Sequence, residues 1–234
     1  MVLPLMGVLG ACGGGAQEES KSGAEGKPRA AAAAKKAQVK KDPGAKPLTE
    51  EQLEKAAVVE ADLKGFMVEK LPASALDIQG LTASPESCQP VADMSTFTSD
   101  PAPKAVVGRS AGATSGASLG TSSSVALLAH QESDAKAVMS ALRDAVEKCG
   151  SGFKADLTYK SVKPEPGKTY GDESVSYELM GELDGDKMPL HFTVVRSGST
   201  IAAFYGLNFL NPGKGQVPPE LMTAQLDKLE KVAD

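Results

Sequence analysis

Beyond residue 47 apolar and polar positions alternate with clear periods, and before it they do not. In 133–149, Ala135, Val138, Met139, Leu142, Ala145, Val146 and Cys149 recur at helical spacing, which predicts a helix capped by Ser133 and closed by Gly150. A period of two takes over in 153–162, 174–182, 187–196 and 200–207, with Asp184-Gly185 as the strongest hairpin signal and Ser197-Gly198 as a second turn. Val175, Tyr177 and Leu179, then Leu190, Phe192 and Val194, then Ile201, Ala203, Tyr205 and Leu207 form one apolar sheet face. Pro218-Pro219 open a closing helix whose Met222, Leu226, Leu229 and Ala233 are suited to cover that face.

Earlier in the same region, Thr49 and Gln52 form a capping box ahead of Leu53, Ala56 and Ala57, predicting a short helix. A turn ending at Gly65 precedes a strand at 66–70, and a short helix is expected over 86–94 with Cys88 in its first turn. Strands at 104–109 and 123–130 are joined by a small, polar connection at 110–122, expected to be mobile. The sum is an α+β domain over 48–234: a mainly antiparallel sheet with helices packed on one face, and one disulfide. Its 187 residues suffice for one sizeable core, as residues 48–234 of the chain show by count.

The first twelve residues follow another logic. An uncharged, apolar run ends in Leu9-Gly10-Ala11 directly before Cys12, which resembles the lipobox at which a thiol receives diacylglycerol and the chain is cut before it. The run is too short for the roughly 20 apolar residues of a membrane-crossing helix. Residues 1–11 are therefore expected to be a signal peptide, with Cys12 acylated and anchoring the chain on the outer face of the cell membrane. No Lys or Arg precedes the run, which predicts an initiation codon further upstream.

Composition adds a tether and an acidic domain. Residues 13–47 hold Val39 as their one large apolar side chain, so nothing there offsets the entropy of ordering, and residues 12–47 are expected to be a disordered linker. That stretch has eight basic and four acidic residues, net +4, which leaves −9 for 48–234. An acidic domain argues against nucleic acid. With Cys12 lipidated, Cys88 and Cys149 remain for one disulfide in an oxidising compartment. They and the two histidines, His130 and His191, show no metal-ligand spacing, so neither a metal nor a cofactor is expected.

Catalytic signals are weak. Gly116-Ala117-Ser118-Leu119-Gly120 matches the nucleophile-elbow pattern, but the flanks lack the strand-to-helix context that exposes such a serine. No enzymatic activity is expected. His191 and Thr193 project from the strand face opposite Leu190 and Phe192, and together with Phe204 or Tyr205 they are the candidate lining of a ligand pocket. His130, at a strand end, is expected to be solvated.

The lipobox cysteine, the tether, Leu48-Thr49-Glu50-Glu51-Gln52-Leu53, the segment from Pro85 through Cys88 to Asp93, Val146-Glu147-Lys148-Cys149 and Phe192-Thr193-Val194-Val195-Arg196 resemble actinobacterial envelope lipoproteins of the Streptomyces type. More distantly they resemble the PknH-like extracellular sensor domain. That resemblance implies a cleft-bearing α/β domain; the sensor domains carry two disulfides, whereas this chain has cysteines for one and no tryptophan. Two functions follow as expectations. The first is a non-enzymatic, lipid-anchored sensor-like or binding module facing a cell-wall component, an envelope protein or a small ligand. The alternative is a lipid carrier with an apolar cavity.

Overall fold

Among the described residues, eight strands pair in one antiparallel sheet in the order β1-β2-β3-β8-β7-β6-β5-β4. They are β1 (Phe66–Lys70), β2 (Ala105–Ala113), β3 (Thr121–Ala129), β4 (Phe153–Lys154), β5 (Thr158–Pro164), β6 (Glu173–Leu183), β7 (Asp186–Ser197) and β8 (Thr200–Asn208). Four α-helices accompany them among the described residues: α1 (Glu50–Ala56), α2 (Gln89–Ser95), α3 (Glu132–Lys148) and α4 (Pro219–Ala233). The computed structural model describes residues 46–76, 80–183 and 185–233. Cys12, the leader at 1–11 and nearly all of the tether lie outside the described residues. No helix among the described residues is long and apolar enough to cross a membrane.

The α+β class and the antiparallel sheet are as the periodicity predicts, and the Cys88–Cys149 disulfide is as the cysteine inventory predicts. The placement of the helices is not: they cover both faces of the sheet. Strand alternation explains why. On β3, Ala126 and Leu128 enter a core with Val138, Met139 and Leu142 of α3, whereas Val125, Leu127 and Ala129 enter another with Leu53 of α1 and Leu221 and Leu229 of α4. Both sets of alternate residues on this central strand are apolar, so each face needs a cover. The face built by Tyr177, Leu179, Phe192, Val194, Ile201 and Ala203 is covered by α2 and α3, not by the closing helix; α4 packs on the reverse face against Val195, Ala202 and Phe204. Cys88 and Cys149 tie the start of α2 to the end of α3.

Local starts and stops follow side-chain chemistry. The Thr49 hydroxyl accepts from the Gln52 N–H at 3.3 Å and the Gln52 side chain accepts from the Thr49 N–H at 2.9 Å, completing the predicted capping box. On α3 the cap falls on Gln131 instead of Ser133, because the Ala135 N–H already donates to the Gln131 carbonyl. Glu132 and Asp134 then sit in the first turn, where their charge suits the helix dipole. The connection at 110–122 shortens to a turn at 114–120. Backbone pairing does not require large side chains, and Ser110, Ala111 and Gly112 pair in register with Ser124, Ser123 and Ser122.

Candidate functional site

On the α1/α4 side, the sheet changes character toward β6. Ser176 and Glu178 on β6 and His191 and Thr193 on β7 replace the apolar residues found on β3 and β8. A polar sheet face cannot be covered by an apolar helix stripe without leaving hydrogen-bonding groups unmade. The chain meets this with a polar strap: after β5, residues 165–172 fold back over β6 and β7. The Glu165 N–H donates to the Ser176 carbonyl at 2.9 Å, the Tyr170 N–H to Ser174 Oγ at 3.2 Å, and the Asp172 N–H to the Arg196 carbonyl at 2.9 Å. Gly171 has φ of +58°, and a Cβ there would stand 2.5 Å from the Arg196 carbonyl, so the strap can lie this close only with glycine.

Between the strap, the sheet and the loop before α4 lies a groove of about 300 Å³, lined among others by Glu165, Lys168, Ser176, His191, Thr193 and Met222. His191 forms its floor. The His191 side chain is 5% exposed, and its Nδ1 stands 2.8 Å from Glu165 Oε1. Its Nε2 is buried and makes no well-aligned hydrogen bond, although the Pro212 carbonyl lies beside the ring. Burial alone would lower the imidazole pKa; the Glu165 hydrogen bond and charge, the Glu178 charge and the nearby Pro212 carbonyl outweigh it and raise the pKa above the usual value. Glu178 is the register partner of His191, and one donor atom from each of Glu165, Glu178 and His191 lies within 4.8 Å of the other two. Ser176 Oγ and Thr193 Oγ1 share a hydrogen bond of 3.1 Å beside them. The arrangement can hold a proton or a cation between two carboxylates, with an opening through which a small polar ligand could reach it.

Of the four residues expected to line a pocket, His191 and Thr193 meet in this groove. Phe204 shares their face as the register partner of Thr193 but is fully buried in the core beneath α4. Tyr205 points to the opposite face, where it stacks on Phe97 and meets Phe192 at a tilt, with ring centroids 5.8 and 5.7 Å apart. Neighbours on a strand cannot share a face, so Phe204 and Tyr205 could never both line the groove. Glu165 and Glu178 are the residues missed from sequence. Glu178 was within reach: a two-residue turn at Asp184-Gly185 sets a register that places it opposite His191. Glu165 carried no such signal, because its contact spans 26 residues and depends on the strap.

The remaining candidates resolve otherwise. His130 is fully buried, not solvated, and burial, aided by Lys104 and opposed by Asp134, holds its pKa at about 4. Ser118 lies in the turn between β2 and β3, two strands, so the strand-to-helix elbow is not formed there.

No family model and no curated protein sequence matches the chain. Its fold is that of the extracellular domain of PknH from Mycobacterium tuberculosis, with a TM-score of 0.53 at 13% identity over 81% of this chain and 98% of that domain. A putative uncharacterized protein from Mycobacterium smegmatis, an Rv0999 ortholog, aligns at 12% identity over 73% of this chain and 88% of its own, with a TM-score of 0.35. At these identities the first match shows a shared fold, and the second carries no argument.

Proposed function

We propose that the chain is a lipid-anchored envelope lipoprotein of the actinobacterial, Streptomyces type, which presents a sensor-like or ligand-binding domain outside the cell membrane and catalyses no reaction. The observation that carries this reading is the Cys88–Cys149 disulfide inside a fold shared with an extracellular domain. Stable disulfides belong to oxidising compartments. With those two cysteines paired, Cys12 is the one thiol left, and it stands directly behind the apolar leader. The groove over His191 is the place where a partner from the cell wall, an envelope protein or a small polar ligand would bind. The lipid-carrier alternative requires an apolar hollow of many hundreds of Å³. It is favoured less, because the spaces on both faces of the sheet are filled by side chains such as Tyr177, Phe192, Leu142 and Phe204.

The test is fractionation of cells expressing the chain with its natural upstream region. Membrane-bound protein whose mass matches a chain starting at Cys12 plus an acyl-glyceryl group is expected, and Cys12→Ser should release it or leave it uncut. A cytosolic protein with an uncut leader and reduced cysteines would overturn the reading.

A further inference from the structure

We propose that Glu165, Glu178 and His191 form a binding site for one divalent transition-metal ion, with Zn²⁺ as the type. The three come from separate pieces of chain: Glu165 from the strap, Glu178 from β6 and His191 from β7. Their donor atoms already lie within 4.8 Å of one another. Donors around a tetrahedral zinc, each about 2.0–2.2 Å from the ion, stand roughly 3.4 Å apart, so the set must contract only modestly. The Glu165–His191 edge, 2.8 Å as a direct hydrogen bond, must open to about 3.4 Å as the ion enters. The Glu178 carboxylate is free to close the remainder, since its partner Lys163 holds it loosely at 3.7 Å.

A second observation concerns the histidine itself. A buried imidazole ordinarily has its polar atoms satisfied. Here Nδ1 faces Glu165, while Nε2 makes no well-aligned hydrogen bond and has only the nearby Pro212 carbonyl beside it, although the ring is almost fully enclosed. Two carboxylates and a neutral imidazole carry a formal charge of −2, which Lys163, 3.7 Å from Glu178, offsets only in part. The donor set also selects the kind of cation. Ca²⁺ wants six to eight oxygen ligands and Mg²⁺ keeps several waters, whereas one nitrogen with two carboxylates suits zinc and its neighbours in the first transition row. Three protein ligands leave a fourth position, and here it would face the groove that Lys168 also lines. Metal binding stands apart from the sensing role, for a chain that binds Zn²⁺ and no partner keeps the site and loses the sensor.

The test is calorimetric titration of the full chain carrying Cys12→Ser with Zn²⁺ alone at neutral pH, alongside Ca²⁺ and Mg²⁺. One equivalent of Zn²⁺ is expected to bind, with neither of the other ions saturating at the same concentrations and with the His191 ring resonances shifted in NMR spectra. Glu165→Gln and Glu178→Gln should each weaken Zn²⁺ binding by more than about tenfold. Both side chains reach solvent, so these variants are expected to melt as the parent does, and they keep the test decisive should His191→Gln fail to fold. Absence of saturable Zn²⁺ binding, or equal binding by folded Glu165→Gln and Glu178→Gln, would overturn the assignment.

Discussion

A Cβ placed on Gly206 would stand 2.5 Å from the Gly215 carbonyl oxygen, so the loop that leads into α4 rests directly on the backbone of β8. Gly215 is in turn pressed on His191, where a Cβ would come within 3.1 Å of the ring's Cδ2. The floor of the groove thus depends on two residues without side chains, one of them the register partner of His191.

Gly206→Ala should therefore lift the 211–217 segment off the sheet. Because the clash is with backbone, no side-chain rotation relieves it, and the cost is expected at about 1–3 kcal/mol. Urea unfolding would show a lowered midpoint, and amide exchange should accelerate in 211–217. Unchanged exchange there would contradict the close packing.

The Cys88–Cys149 bond closes a loop of 61 residues and joins α2 to α3 on one face of the sheet. On the chain-entropy view a loop of this size contributes about 4 kcal/mol. Replacing both cysteines by alanine should remove most of that, read as a lowered guanidinium midpoint with a slope that steepens as the unfolded chain loses its cross-link. A loss below about 1 kcal/mol would mean that packing of α3 alone holds this face.

On the other face the equivalent tie is a single amide. Gln225, fully buried on α4, donates from Nε2 to the Ala56 carbonyl at 2.8 Å and accepts from the Val58 N–H at 3.1 Å. Gln225→Leu keeps the volume but orphans both backbone groups, each costing about 1–3 kcal/mol when buried. The expected loss is about 2–5 kcal/mol in chemical unfolding, whereas replacing exposed Glu220 nearby should change little.

Why these ties escaped the sequence reading is a matter of range. The capping box at Thr49 and Gln52, the strand at Phe66–Lys70 and the hairpin across Asp184-Gly185 are decided by residues a few positions apart, and periodicity displays them. The side on which α4 lies is decided by what else competes for each face. Its Met222, Leu226 and Leu229 fit either apolar face equally well; α3, secured by the disulfide, takes one and leaves the other. In the groove, alternation sets His191 and Thr193 on one strand face, and both line it. Tyr205 enters as a rim alternative to Phe204, but alternation sets it on the opposite face, and Glu165 arrives through a strap whose path no local pattern encodes.

His130 offers a test through acid. Its Nδ1 is buried without a hydrogen bond, and its Nε2 lies 3.5 Å from Ser99 Oγ; Asp134 of α3 and Lys104 are the charged groups that act on it. Burial holds the folded pKa at about 4, below the ordinary value of 6.5, so the unfolded chain takes up a proton that the native protein refuses. Stability from this group is full at and above the ordinary pKa and falls as pH drops through the interval toward the folded one. Between about pH 7 and pH 5 it amounts to roughly 2 kcal/mol. Urea unfolding at both pH values should show that loss in the parent and a clearly smaller one in His130→Leu, which has no proton to take up. Equal slopes in the two proteins would show that His130 is not held neutral by the fold.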